Sequence, residues 1–125
     1  MSVLGGLAAT EVELSAYAAA EPGPERFAGA ALTAERARVL ETVYEGYLLH
    51  YREPRAFQGL DDDLRLLAGD TMYADGLSQL ARSGDLDAVA ELAGLISACA
   101  RAHAEDRGEV VEELWRASAE ALARP

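Results

Sequence analysis

The chain has 125 residues, half of them apolar, and this size and composition suit one domain with a hydrophobic core. Its 22 acidic residues outweigh 11 basic ones, and the net charge of -11 argues against binding to nucleic acid or to an anionic membrane surface. One cysteine and two histidines are too few for an internal disulfide or a structural zinc site. All the basic residues are arginine, so the absence of lysine excludes Schiff-base chemistry and a P-loop lysine.

Alanine, leucine, glutamate and arginine dominate the sequence while β-branched residues are scarce, and this composition predicts an all-α fold. The first predicted helix spans residues 2–20, and the two prolines and one glycine within residues 21–24 end it. No segment is apolar for long enough to span a membrane. Residues 2–20 also lack the basic start of a signal peptide, so we expect a cytoplasmic protein.

The second predicted helix, residues 34–51, begins after Thr33, whose hydroxyl suits an N-cap. Its apolar positions recur every three or four residues, and three of them are the tyrosines Tyr44, Tyr47 and Tyr51. Such an aromatic stripe is typical of a helix face that packs in the hydrophobic core, and tyrosines are also preferred anchor residues at protein interfaces. In the interface interpretation, these tyrosines form the contact surface of a homodimer or of a complex with a larger protein partner.

The third predicted helix, residues 62–82, begins at a run of three aspartates, Asp61 to Asp63. Helix capping and solvation explain such a run. A magnesium site would need further carboxylates from another helix, and we predict no metal site.

The last two predicted helices span residues 86–105 and 109–123, and Asp85 is the expected N-cap of the first of them. The breaks before and after residues 86–105 are only a few residues long, which predicts antiparallel neighbours. The sequence therefore predicts one helical domain over residues 1–125, a compact bundle of about five helices.

Asp70 is the most informative polar residue of the third helix, because its stripe neighbours Leu66, Tyr73 and Leu77 are apolar. An unpaired carboxylate among apolar side chains is costly, so Asp70 is predicted to be buried and hydrogen-bonded. The alternative is that Asp70 binds a ligand, with Tyr73 beside it. Gly69 costs roughly 1 kcal/mol in a helix interior relative to alanine, and close approach of another helix best explains it.

His103 ends the apolar stripe of the fourth helix, one turn after Cys99. Either it lies half-exposed at the helix C-terminus, where its charge suits the helix dipole, or an antiparallel arrangement brings it to Asp63 or Asp70. In the second case His103 joins Asp70 as a candidate ligand site or acid–base pair. Cys99 and His103 make a weak nucleophile pair because no third group orients the histidine. No catalytic residue and no cofactor are assigned.

Residues 67–81 resemble one helix of the trans-isoprenyl diphosphate synthases. That family often shows a leucine, a Gly-Asp pair, an apolar residue, a small residue and then Leu-Ala, which here are Leu67, Gly69-Asp70, Met72, Gly76 and Leu80-Ala81. A second pair, Gly84-Asp85, opens the next helix as it commonly does in the family. The similarity covers residues 64–105 and implies isoprenoid-synthase-like helix packing.

The resemblance does not extend to the catalytic motifs. The synthases bind magnesium and diphosphate through two Asp-Asp-x-x-Asp motifs and through lysines. Here Arg65 replaces the last acid of the motif that would begin at Asp61, and the chain has no lysine. The resemblance therefore implies a helical scaffold, and we expect no prenyl-transfer activity from this chain alone.

The sequence supports three hypotheses. The first is a non-catalytic interaction protein resembling a trimmed isoprenoid synthase, which self-associates or binds a larger partner; some synthases of the family work with a catalytically deficient small subunit. The second is a binding module for a small apolar, isoprenoid-like ligand held by Asp70, Tyr73 or His103. The third is a small enzyme that uses Asp70 and His103. Dimerisation through the tyrosines would favour the interaction protein. An enclosed apolar cavity at Asp70 would favour the ligand-binding module, and an open cleft joining Asp70 to His103 would favour the enzyme.

Overall fold

The computed structural model describes residues 14–124. Within them lie four α-helices: α1 (Ala34–Tyr51), α2 (Asp62–Ser83), α3 (Leu86–Ala104) and α4 (Val111–Leu122). Two 3-10 turns, Ser15–Tyr17 and Gly108–Val110, precede α1 and α4. The described residues contain no β-strand, only an isolated antiparallel bridge between Ala18 and Phe57, and the predicted all-α class is confirmed.

The first predicted helix, residues 2–20, lies mostly outside the described residues, and its described end is not α-helical. Residues 14–20 form a 3-10 turn and extended chain. Their backbone bonds to the connection between α1 and α2 instead: Ala19 N–H donates to Ala56 O, and Gln58 N–H donates to Tyr17 O. The prediction that the first helix reaches residue 20 is therefore wrong, because pairing with another segment replaces the helical bonds.

The helix ends follow the polar residues that the sequence places there. Thr33, Asp61 and Asp85 each accept a hydrogen bond from the backbone N–H three residues later, at 3.1, 2.9 and 3.4 Å. Each bond satisfies one of the N–H groups that the first helical turn leaves unpaired. Gly84 ends α2 at a φ of 82°, in the left-handed region that glycine adopts at low cost.

Helix α1 is the central element, since ten of its eighteen residues are buried, all of them between Val39 and Leu49. Its start lies beside the end of α2, where Ser83 Oγ donates to Glu35 at 2.6 Å. Its end lies beside the start of α2, where His50 contacts Asp70, so α1 and α2 run antiparallel.

Arg36, in the first turn of α1, connects this helix to α3 and α4. Its guanidinium donates two 2.8 Å bonds to the Asp85 carboxylate at the start of α3 and one 2.9 Å bond to Leu122 O at the end of α4. The bonds from Arg36 lower the pKa of the Asp85 carboxyl. One arginine therefore holds three helix ends together.

The crossing of α1 and α2 is lined by glycines. A Cβ at Gly46, Gly69 or Gly76 would lie within 2.1–2.7 Å of a side-chain atom on the facing helix. Real Cβ atoms do not approach neighbours this closely, so a side chain at any of these positions would force a residue of the facing helix to move. The prediction that Gly69 marks close approach of another helix is confirmed.

Two glutamates of α1, Glu41 and Glu45, are buried with 1% and 0% exposure. The Glu45 carboxylate accepts bonds from the Arg55 side chain and from the N–H groups of Arg55 and Ala56, at 2.8–3.0 Å. Glu41 accepts bonds from Arg55 at 2.8 Å and from the N–H groups of residues 26 and 27 at 3.1 and 2.8 Å. Buried charges are tolerated when they are paired and hydrogen-bonded in this way. The two glutamates therefore hold the segments before and after α1 against it.

Candidate functional site: a histidine–tyrosine cluster

One end of the bundle gathers both histidines and three of the five tyrosines. We define this histidine–tyrosine cluster by its members: Tyr47, His50 and Tyr51 at the end of α1, Tyr73 of α2, and His103 at the end of α3. Positions three and four apart share one side of a helix, which places Tyr47, His50 and Tyr51 together. The antiparallel course of α2 then brings Tyr73 to the same end.

His103 lies in the last turn of α3 and is half-buried. Its Nε2 shares a 2.8 Å hydrogen bond with the Tyr47 hydroxyl, and its ring stacks on Tyr51 with centroids 4.1 Å apart and planes 5° apart. Burial lowers the pKa of His103, and the positive charge of Arg52 acts in the same direction. Burial also raises the pKa of Tyr47. The pair therefore shares a bond between two neutral groups at neutral pH.

Asp70 is not buried: its side chain is 71% exposed, and the prediction of a buried, structural Asp70 is wrong. Its Oδ1 lies 3.2 Å from His50 Nε2, which is also 3.1 Å from Leu66 O. The buried face of α2 explains the error, because it is made mainly of small residues. Its buried residues are the small Ala68, Gly69 and Gly76 together with Met72 and Leu80.

The three predicted ligand residues do not converge on one point. Tyr73 packs its ring edge-on against His50 at a centroid distance of 5.1 Å, so Asp70 and Tyr73 share His50 as a neighbour. Burial raises the pKa of Tyr73. His103 contacts Tyr47 and Tyr51 instead, and the proposed acid–base pair of Asp70 and His103 is not formed. His50 was missed at the sequence level, although it follows Tyr47 by three positions on the same helix face.

The tyrosine stripe of α1 belongs to the core. Tyr47 is only 3% exposed, and Tyr44 and Tyr51 pack partly buried against the same cluster of core residues. Tyr44 meets Trp115 edge-on at 4.9 Å. The core interpretation of Tyr44, Tyr47 and Tyr51 is confirmed, and the stripe does not present an exposed contact surface to another chain.

An open cleft of about 450 Å³ adjoins the cluster. Its walls include Leu49, His50, Tyr51, Glu53, Asp62 and Leu66. Arg65 also reaches this wall, but its guanidinium donates to Leu49 O at 3.1 Å, to Leu48 O at 3.3 Å and to Arg52 O. Arg65 therefore supplies side-chain donors to carbonyls at the end of α1, where the helix itself leaves carbonyls unpaired. Asp70 lines neither this cleft nor an open cleft of about 510 Å³ beside it.

The exposed surface of α2 carries two adjacent leucines, Leu66 and Leu67, which are 53% and 60% exposed. Exposed aspartates lie one turn before and one turn after them, at Asp63 and Asp70. We call these four residues the leucine ridge. Leu66 was predicted on the buried stripe, and its exposure has the same cause as that of Asp70. Leu86, 67% exposed at the start of α3, is a large exposed apolar residue of another helix.

Reactive groups are sparse in the part of the chain that the structure describes. No group of three or more His, Cys, Asp or Glu side chains is placed there to hold a metal ion. Burial raises the pKa of the Cys99 thiol to about 11, which makes it a poor nucleophile. Among residues 14–124, no helix is both long and apolar enough to cross a bilayer.

No family model, no curated protein and no solved structure matches this chain. The likeness to trans-isoprenyl diphosphate synthases therefore rests on the sequence pattern of residues 64–105 and stays a prediction.

Proposed function

We propose that this protein is a non-catalytic helical interaction subunit that acts by binding another protein chain. The observation that carries the proposal is the exposure of Leu66 and Leu67 side by side on α2. Apolar area left in water forgoes about 25 cal/mol per Å² of hydrophobic stabilisation. Contiguous exposed apolar patches with a polar rim are a common mark of protein–protein contact sites.

The proposed contact surface is the leucine ridge and no longer the tyrosine stripe of α1. Tyr47 is held in the core by its bond to His103, whereas both ridge leucines point away from the buried face of α2. Residues 67–81 carry the synthase resemblance, so a trimmed synthase-like subunit that pairs with a larger chain is one form of this proposal.

A module for a small apolar ligand is the second candidate, and the cleft of about 450 Å³ is the observation that favours it. Ligand sites usually enclose most of the ligand surface. This cleft is open, and the carboxylates of Glu53 and Asp62 line it. It therefore suits a side chain delivered by a partner better than a free apolar molecule.

The proposed function is tested by affinity capture from native lysate together with light scattering of the purified chain. The test variant is Leu66→Gln with Leu67→Gln, and Leu86→Gln is the control because Leu86 is a similarly exposed leucine on another helix. We expect wild type and the control to retain the same protein, or to give the same oligomer mass, and the double variant to lose it. A 13.3 kDa monomer that retains no protein would contradict the proposal.

A further inference from the structure

We infer that the leucine ridge binds a cationic amphipathic helix of a partner protein. This inference rests on the proposed function and specifies the chemistry of the partner. It depends on three features of the surface: the two exposed leucines, the carboxylates around them and the adjoining cleft.

Carboxylates dominate the charge around the ridge. Asp63 and Asp70 lie one turn away from the leucines on either side, and Asp62 and Glu53 line the adjoining cleft. Two arginines, Arg52 and Arg65, also line the cleft, and the four carboxylates outnumber them. The surface is therefore apolar in the middle and negative at its rim, which complements a helix with leucines on one face and arginines or lysines beside them.

The spacing of the ridge suits a helix as the partner. Asp63, the two leucines and Asp70 occupy positions that fall on one face of α2 over two turns. A second helix laid along this face would place apolar residues against Leu66 and Leu67 and its basic residues near the aspartates. Leu66 also forms one wall of the cleft, so a basic side chain of the partner that follows the ridge can enter the cleft and approach Glu53 and Asp62.

Charge argues against a second copy of this chain as the occupant. In a twofold dimer the same patch meets itself, so the aspartates of both copies would be brought together. The chain as a whole carries a net charge of -11, which adds to the repulsion. A basic partner avoids both the repulsion between facing aspartates and the repulsion between two acidic chains.

The test measures fluorescence anisotropy of a labelled helical peptide, with leucines on one face and arginines on the other, against the full-length chain. One control peptide has glutamate in place of arginine, and another has the same composition in scrambled order. We expect the arginine peptide alone to bind tightly, and Leu66→Gln with Leu67→Gln to weaken it by roughly tenfold or more, as loss of an interface anchor does.

The charge contribution needs its own matched pair of variants. Asp63→Asn with Asp70→Asn should weaken the arginine peptide severalfold and reduce the salt dependence of its binding. Asp87→Asn with Glu120→Gln removes the same charge from exposed positions on α3 and α4 and should leave binding almost unchanged. Equal weakening by both pairs would overturn the inference, because it would indicate general attraction to an acidic protein.

The two proposals fail in different ways. If the glutamate or scrambled peptide binds as well as the arginine peptide, or if the arginine peptide does not bind, the inference is wrong. Loss of a captured partner from the double leucine variant would then still support the proposed function. A wild-type dimer that the double leucine variant converts to monomer would identify a second copy as the occupant and would also overturn the inference.

Discussion

Replacing Gly46 by alanine tests the close crossing of α1 and α2. The new methyl carbon would lie 2.7 and 2.9 Å from two ring carbons of Tyr73 and 3.0 Å from the carbonyl oxygen of Gly69. One of these contacts is with backbone, so a shift of a single side chain cannot relieve the crowding. Overpacking of this kind costs about 1–3 kcal/mol, and simultaneous crowding against a side chain and the backbone points to the upper half of that range.

The helix propensity of alanine offsets part of this cost, by roughly 1 kcal/mol. We therefore expect Gly46→Ala to lower the free energy of unfolding by about 1–2 kcal/mol, or the midpoint of thermal unfolding by about 4 °C for each kcal/mol. Urea and thermal unfolding followed by far-UV circular dichroism measure both quantities.

Gly94→Ala is the matched control, because Gly94 lies within α3 and a Cβ there meets nothing within 4 Å. Only helix propensity acts at that position, so this variant should gain roughly 1 kcal/mol of stability. If Gly46→Ala gained stability as Gly94→Ala does, α1 and α2 would not approach closely at Gly46, and the packing argument would be refuted.

Three further predictions concern polar groups that are buried or half-buried in the fold. Arg55→Met leaves two buried glutamates without their cation, so it should lower the free energy of unfolding, measured by chemical denaturation, by about 3–5 kcal/mol. The control Arg116→Met removes an exposed ion pair and should change that free energy little. Equal effects of the two variants would contradict the burial of the network. The pKa of His103 is lowered in the fold, so the unfolded chain takes up the proton first and stability falls as pH drops below the ordinary value of 6.5. His103→Gln should therefore flatten the decline in unfolding free energy from about pH 7.5 to about pH 5.5, and parallel profiles would refute this assignment. Cys99, buried and with its pKa raised to about 11, should react with a thiol reagent far more slowly in the folded chain than in denaturant; similar rates would show that it is accessible.

The bounds of the helices could be predicted from the sequence because their signals are local. The range predicted for α1, residues 34–51, is the range observed, and Thr33 caps it as its hydroxyl chemistry suggests. Asp61 and Gly84 likewise mark the start and end of α2. Each of these signals depends on residues within one helical turn of the boundary.

The orientation of α2 could not be predicted from its large apolar residues. A stripe drawn through Leu66 and Leu77 makes Asp70 an inward-facing residue. The buried face instead follows Gly69 and Gly76, because close contact with α1 requires small residues there. A periodicity analysis gives most weight to large apolar side chains. It therefore overlooks a helix face that is buried because its glycines allow another helix to approach closely.

The buried ionic network was missed because its members are distant in sequence. Glu41 and Glu45 are four positions apart within the mainly apolar stretch of residues 39–49, which is a visible signal of an unusual position. Their partner Arg55 lies in the following connection, and the backbone donors at residues 26 and 27 precede the helix. Helical periodicity carries no information about which connection supplies such partners.

The same network has a kinetic consequence. Burying α1 before residues 26–27 and 55–56 reach it would remove two bare carboxylates from water at a high cost. This side of α1 is therefore unsuited to act as an early hydrophobic nucleus, and it should stay hydrated until both connections close together. We expect substitutions there to act mainly by accelerating unfolding, with little effect on the rate at which the chain folds.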